Sequence, residues 1–128
     1  MRRALLVVGV TLVFATIGCS IFGPDQSIVL GVSQIDAPAT IAPSASLSVT
    51  LQVALTDGCK KFDRFEIDRV ATGANVTVWG TDAGKGSSGG CPQVYTEEPH
   101  TIVFNPPFGS TFTISVNEGA ISETIEVR

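Results

Sequence analysis

Ser46-Leu47-Ser48-Val49-Thr50-Leu51-Gln52-Val53-Ala54-Leu55 is the stretch that decides the fold. Leu47, Val49, Leu51, Val53 and Leu55 take every odd position, and Ser46, Ser48, Thr50 and Gln52 take even ones. Successive side chains of a strand point to opposite faces, so a sustained period of two describes a strand with one buried face. Ser110 to Asn117 repeats the pattern, with Phe112, Ile114 and Val116 inward and Thr111, Thr113 and Ser115 outward. From Ala120 to Arg128, Ile121, Ile125 and Val127 stand against Ser122, Thr124 and Glu126. Asn117-Glu118-Gly119 between these two runs reads as a three-residue hairpin loop with Gly119 in the left-handed region.

Further out, Ile28, Leu30 and Val32 share a parity that Ile35 breaks, as a bulge or kink near Gly31 or Ser33 would produce. Phe65 and Ile67 face inward on a strand near Phe62 to Val70, with Arg64, Glu66 and Asp68 outward. Val76 and Val78 define a strand around Ala74 to Thr81, and Ile102 and Phe104 one around His100 to Asn105. Turns punctuate these runs at Pro38, Pro43, Asp57-Gly58, Gly73, Gly84 to Pro92 and Asn105-Pro106-Pro107. No window after residue 26 has a helical period. About seven strands, each followed by a turn, predict an all-β, single antiparallel sandwich. On the opening Ile35…Pro38…Ile41-Ala42-Pro43…Leu47 and the closing Gly109-Ser110-Thr111-Phe112-Thr113-Ile114, the chain resembles an immunoglobulin-like or fibronectin type III-like domain. The resemblance implies an Ig-like sandwich over residues 27–128. The antibody-type core disulfide is absent from it, because Cys59 and Cys91 both stand in loop-like contexts, and no tyrosine-corner residue is seen.

Composition narrows function. A chain of 128 residues makes one domain. Asp+Glu number 12 against Lys+Arg 8, and two of those bases are Arg2 and Arg3. An acidic body lacks the basic face that phosphate contacts need, so no nucleic-acid partner is expected. One His, one Tyr, one Trp and one Met leave little for metal or redox chemistry.

The N-terminus reads as an address. Arg2 and Arg3 precede an uncharged apolar run from Ala4 to Ile17, closed by Gly18 and Cys19. Positive start, apolar stretch and small-residue cleavage site describe a secretory signal peptide over residues 1–18. Ala15-Thr16-Ile17-Gly18-Cys19 resembles the lipobox of bacterial lipoproteins. That resemblance implies a lipid on the Cys19 sulfur, a new N-terminus there, and a membrane partner reached through the lipid. Stable anchoring needs two or more acyl chains, which lipoprotein processing supplies. Ser20 after the cysteine implies the outer membrane if the host has one, and otherwise the outer face of the plasma membrane. Residues 19–26 would be a short anchored tether. An ordinary cleaved signal with Cys19 as bystander, or an uncleaved membrane helix within Ala4 to Pro24, uses the same residues. If Cys19 carries lipid, Cys59 and Cys91 remain, and an oxidising compartment favours a structural disulfide between them.

Candidate chemistry is sparse. Gly86-Ser87-Ser88-Gly89-Gly90 matches the G-x-S-x-G string of serine hydrolases, with His100 and Glu97 or Glu98 as possible partners. That chemistry needs a strand-to-helix turn over a largely parallel sheet, so a glycine loop is the better reading. Gly80 to Gly86 misses the phosphate-loop spacing. Asp57, Asp63, Asp68 and Asp82 are scattered without calcium-loop spacing. His100 reads as a strand residue, and Asn75-Val76-Thr77 as a chance sequon. No catalytic residue, metal or cofactor is expected. Trp79 falls on the face opposite Val76 and Val78, where the glycine-rich loop pinned by Cys91 would fold back over its ring; left open, it is a candidate ligand-binding residue. Tyr95 joins it as a second candidate, and Phe108 would extend an aromatic patch. The reading is a non-enzymatic, lipid-anchored protein of the cell envelope, serving protein interaction or envelope scaffolding. The alternative is a small-ligand or glycan-binding module using the face around Trp79.

Overall fold

Nine strands form among residues 26–84 and 90–128, the part of the chain that this computed structural model describes. They are β1 (Gln26–Val29), β2 (Val32–Asp36), β3 (Thr40–Ile41), β4 (Leu47–Leu55) and β5 (Lys60–Val70). β6 (Gly73–Asp82), β7 (Thr96–Phe104), β8 (Thr111–Val116) and β9 (Ile121–Val127) follow. The expected signal peptide, Cys19 with its tether to residue 25, and Ser88 lie outside the described residues.

The strands make two sheets. β4 is central in a three-stranded sheet of order β2-β4-β7, and all five of its odd positions are buried, as its alternation predicts. They pack against Val76, Val78, Phe112, Ile114, Val116 and Ile125 of the six-stranded sheet. Each such side chain contributes about 1.5–3 kcal/mol when fully buried. The two apolar layers make a β-sandwich.

In the larger sheet β6 is the hub. β5 pairs antiparallel with it from Lys60–Asp82 to Val70–Gly73. Its other side is shared: β1 pairs antiparallel with Trp79 to Asp82, and β8 pairs parallel with Gly73 to Val76. β9 then pairs antiparallel with β8, and β3 parallel with β9. The sheet is therefore mixed, not antiparallel as expected. Connectivity supplies the reason: between β6 and β8 the chain crosses to the other sheet as β7, so β8 returns in the direction of β6. Parallel neighbours require such a crossover.

The count of nine against the expected seven has two causes. The segment from Ile28 to Ile35 leaves one sheet after Val29 and joins the other at Val32, with a register shift between Val32 and Gln34. Leu30 is buried at that crossing, lodged over Gly80; a Cβ on Gly80 would stand 2.5 Å from Leu30 Cδ1. The second cause is β3, a two-residue strand. β7 also starts at Thr96, ahead of the expected His100. Glu97, Glu98 and Pro99 look loop-like but pair with Ala54, Val53 and Gln52. β7 is an edge strand, where proline costs no ladder bond.

β5 carries an irregularity. Phe62 pairs with Gly80 and Arg64 with Trp79, so Asp63 is the extra residue of a bulge. The bulge lets Phe62 and Phe65 both reach the core. Ile67, expected inward, is 41% exposed, because edge strand β5 leaves the rim of the inner face open.

The β8–β9 turn extends the left-handed expectation. Gly119 has φ 85°, and Asn117 and Glu118 have φ 51° and 59°. Asn117 does more than turn. Its backbone N–H donates to Val76 O at 2.8 Å, and its Oδ1 accepts from Val78 N at 3.1 Å. Its Nδ2 donates to Leu30 O at 2.7 Å. It fills the gap where β6 changes neighbour from β8 to β1.

Candidate functional site

Three places concentrate chemistry-bearing side chains. The first is the end of the sandwich where β1 and β5 begin and β6 finishes. There Cys59 and Cys91 form a disulfide across a sequence separation of 32, as the cysteine arithmetic predicts. Asp57 accepts from Cys59 N at 2.9 Å and from Lys60 Nζ at 2.9 Å. These bonds, Lys60 first, hold the Asp57 carboxyl below its ordinary range despite the opposing effect of burial. Asp57, Cys59 and Cys91 bring potential ligand atoms within 4.8 Å of one another. Both sulfurs are spent in the bridge and Lys60 occupies the carboxylate, so the cluster is a staple.

The second place is the outer face of the six-stranded sheet. Trp79 lies there, half-buried and opposite Val76 and Val78, as its parity predicts. Its indole N–H donates to Glu66 Oε2 at 2.7 Å, and the Arg64 guanidinium sits 5.6 Å from its ring centroid. Arg64 is itself paired with Asp63 at 2.6 Å. Sequence alone did not indicate these partners, because the bulge at Asp63 sets which β5 residues flank the ring.

Tyr95 does not join Trp79. It precedes β7, in the opposite sheet, is 58% exposed, and donates to Glu97 Oε1 at 2.9 Å. That bond to a carboxylate raises the phenol's pKa, because it favours the protonated form. Phe108 is likewise elsewhere, edge-on to Phe112 with centroids 5.1 Å apart. Arg69 closes over both rings and over Phe104, and donates to Pro107 O at 2.8 Å. His100 stacks on Phe62 with centroids 3.8 Å apart and contacts Glu98 at 3.2 Å. It bridges the two sheets at their β5 and β7 edges, which agrees with its reading as a strand residue.

The third place is a groove of about 290 Å³ at the far end of the Trp79 face. Asp68, Val70, Thr72, Asn75, Thr113 and Ser115 line it, and Gly73 forms its floor. A Cβ on Gly73 would stand 2.4 Å from Thr113 O, so only glycine allows β6 and β8 to approach this closely. Sequence reasoning missed this groove. Its residues come from three strands and a turn, and its closest pairing is the parallel one that no hairpin signal marks.

No curated protein and no solved structure matches the chain. Residues 49–127 match the ORF11 beta-sandwich domain family, a span running from β4 to the end of β9 and including the disulfide, Trp79 and the groove. The chain is thus a member of the ORF11 beta-sandwich domain family.

Proposed function

We propose that this protein is a lipid-anchored, extracytoplasmic β-sandwich of the cell envelope that acts without catalysis, as a protein-interaction or scaffold module. One observation carries the reading. The chain has three cysteines, and the Cys59–Cys91 bridge accounts for two. The third, Cys19, stands at the end of an apolar run in a lipobox-like context. Residues 1–18 are then the cleaved signal, Cys19 the lipidated N-terminus, and the outer membrane the destination where the host has one. An Ig-like kinship of the sandwich belongs to the same proposal, supported by its two facing sheets and its size. Ser20 to Gln26, seven residues, reach no farther than about 25 Å. The end bearing Gln26, Asp82 and the disulfide then faces the membrane. Intact-mass analysis of membrane-extracted protein tests this: a diacylglyceryl or triacyl adduct on Cys19 is expected, and an unmodified thiol there removes the anchor.

A second reading, binding of a small ligand or glycan, is favoured by the outward placement of Trp79 on a face rich in Thr and Ser. Acrylamide quenching of Trp79 fluorescence tests it. Quenching relieved by ligand is expected, and an indole shielded in the free protein counts against this face.

A further inference from the structure

We propose that the groove at the β5–β6–β8 end of the sheet holds a ring of an uncharged oligosaccharide whose chain runs along β6 toward Trp79. The proposal rests on the binding-module reading and is independent of the lipid. Asp68 pairs with Asn75, Asn75 with Ser115, and Ser115 with Ser122. Paired residues of neighbouring strands share a face, so these four make one polar row across the sheet.

Within the groove, Asp68, Thr72, Asn75 and Ser115 make no side-chain hydrogen bond among the described residues, so their donors and acceptors are available. In the adjoining row, Gly73 sits low between Val70 and Thr113, its backbone close against Thr113, and Val70 is 64% exposed. Clustered hydroxyls, an amide and a carboxylate beside one exposed aliphatic group match a ring that has hydroxyls at its rim and C–H bonds on its face.

Other occupants fit less well. Among the described residues Asp68 is the only charged lining group, and it disfavours anionic sugars and phosphates. An extended peptide has no edge of β6 to join, because β6 is paired with β5 and β8 on its two sides here; the free edge is that of β5, at the side of the groove and not within it. Along the outward face of β6, Asn75, Thr77 and Trp79 follow at two-residue steps, placing the indole about 13 Å from the groove. A short oligosaccharide covers that distance, and an aromatic ring is the usual platform for the apolar face of a sugar.

The test is a titration of the full chain in detergent micelles with cellotriose, maltotriose and chitotriose, with trigalacturonic acid as anionic comparison. Nitrogen–proton NMR follows the Asn75 side-chain amide, the Thr113 and Ser115 backbone amides and the Trp79 indole. At least one neutral trisaccharide should shift the groove signals together with the indole. Asn75→Ala and Ser115→Ala, both outward-facing, should each weaken its binding by about tenfold, the effect of losing roughly one hydrogen bond. Asp68→Asn should admit the anionic sugar. Still groove signals with all three neutral sugars, or affinity unchanged in both alanine variants, overturn the proposal. Indole shifts without groove shifts also overturn it, while leaving the binding-module reading standing.

Discussion

The side-chain oxygen of Asn117 takes the place of a neighbouring strand for Val78, accepting its amide at 3.1 Å. Val78 stands where β6 has passed the last β8 partner and not yet met the first β1 partner. Without Asn117 the Val78 N–H would be stranded, and the Leu30 carbonyl would lose its 2.7 Å donor. Asn117 also tolerates its left-handed backbone better than most residues.

Asn117→Ala should therefore destabilise by about 2–3 kcal/mol, combining lost hydrogen bonds with backbone strain. Asn117→Gly, relieved of the strain, should fall by about 1–2 kcal/mol. Urea unfolding midpoints measure both. Equal stability of the alanine variant and the parent would show that the bridge contributes nothing.

Gly80→Ala should destabilise by about 2–3 kcal/mol through overpacking. Its new methyl would meet Leu30 Cδ1 and Lys61 O, each at 2.5 Å, and Lys61 O belongs to the paired backbone. Gly31→Ala is the control: nothing lies within 4 Å of its Cβ position, so its midpoint should stay within about 0.5 kcal/mol of the parent. Similar losses in both variants would refute the steric account.

Removing the bridge with Cys59→Ala and Cys91→Ala together should cost roughly 3–4 kcal/mol, the loop entropy for a separation of 32. The loss should show in thermal and urea unfolding alike. A double variant as stable as the parent would mean that the staple leaves the unfolded chain unconstrained.

Acid should weaken the same end. The Asp57 carboxyl lies below its unfolded value because Lys60 and the Cys59 amide hydrogen-bond its charged form. A depressed carboxyl stabilises the fold above its unfolded value of about 4, and the contribution disappears as pH falls through the folded value. Urea midpoints should drop below about pH 4 in the parent, and less steeply in Asp57→Asn. Identical acid slopes in the two proteins would assign the pH dependence elsewhere.

The sandwich was legible wherever a strand had one wet face and one dry face. β4 and β8 alternate cleanly because each is flanked on both sides and buries one face whole, whereas β9 carries exposed Glu123 on its inward parity and buries only Ile125 fully. β7 was half hidden, because Glu97, Glu98 and Pro99 belong to an edge, where strand chemistry relaxes. The parallel β6–β8 pairing left no local trace: it depends on where β7 lands, which no window of residues contains. Trp79 shows both sides of this. Its outward direction followed from the parity of Val76 and Val78, whereas Arg64 and Glu66 became its partners through register, which the Asp63 bulge resets.

The termini of the sandwich point apart. Gln26 pairs with Asp82, the last residue of β6, while Glu126 pairs with Thr111 at the opposite end, beside the first residues of β6. The length of β6 separates these ends by about 33 Å. A reporter fused after Arg128 would therefore be displayed beyond the groove end, held off from anything attached ahead of Gln26. The same polarity would let copies joined head to tail extend as a rod.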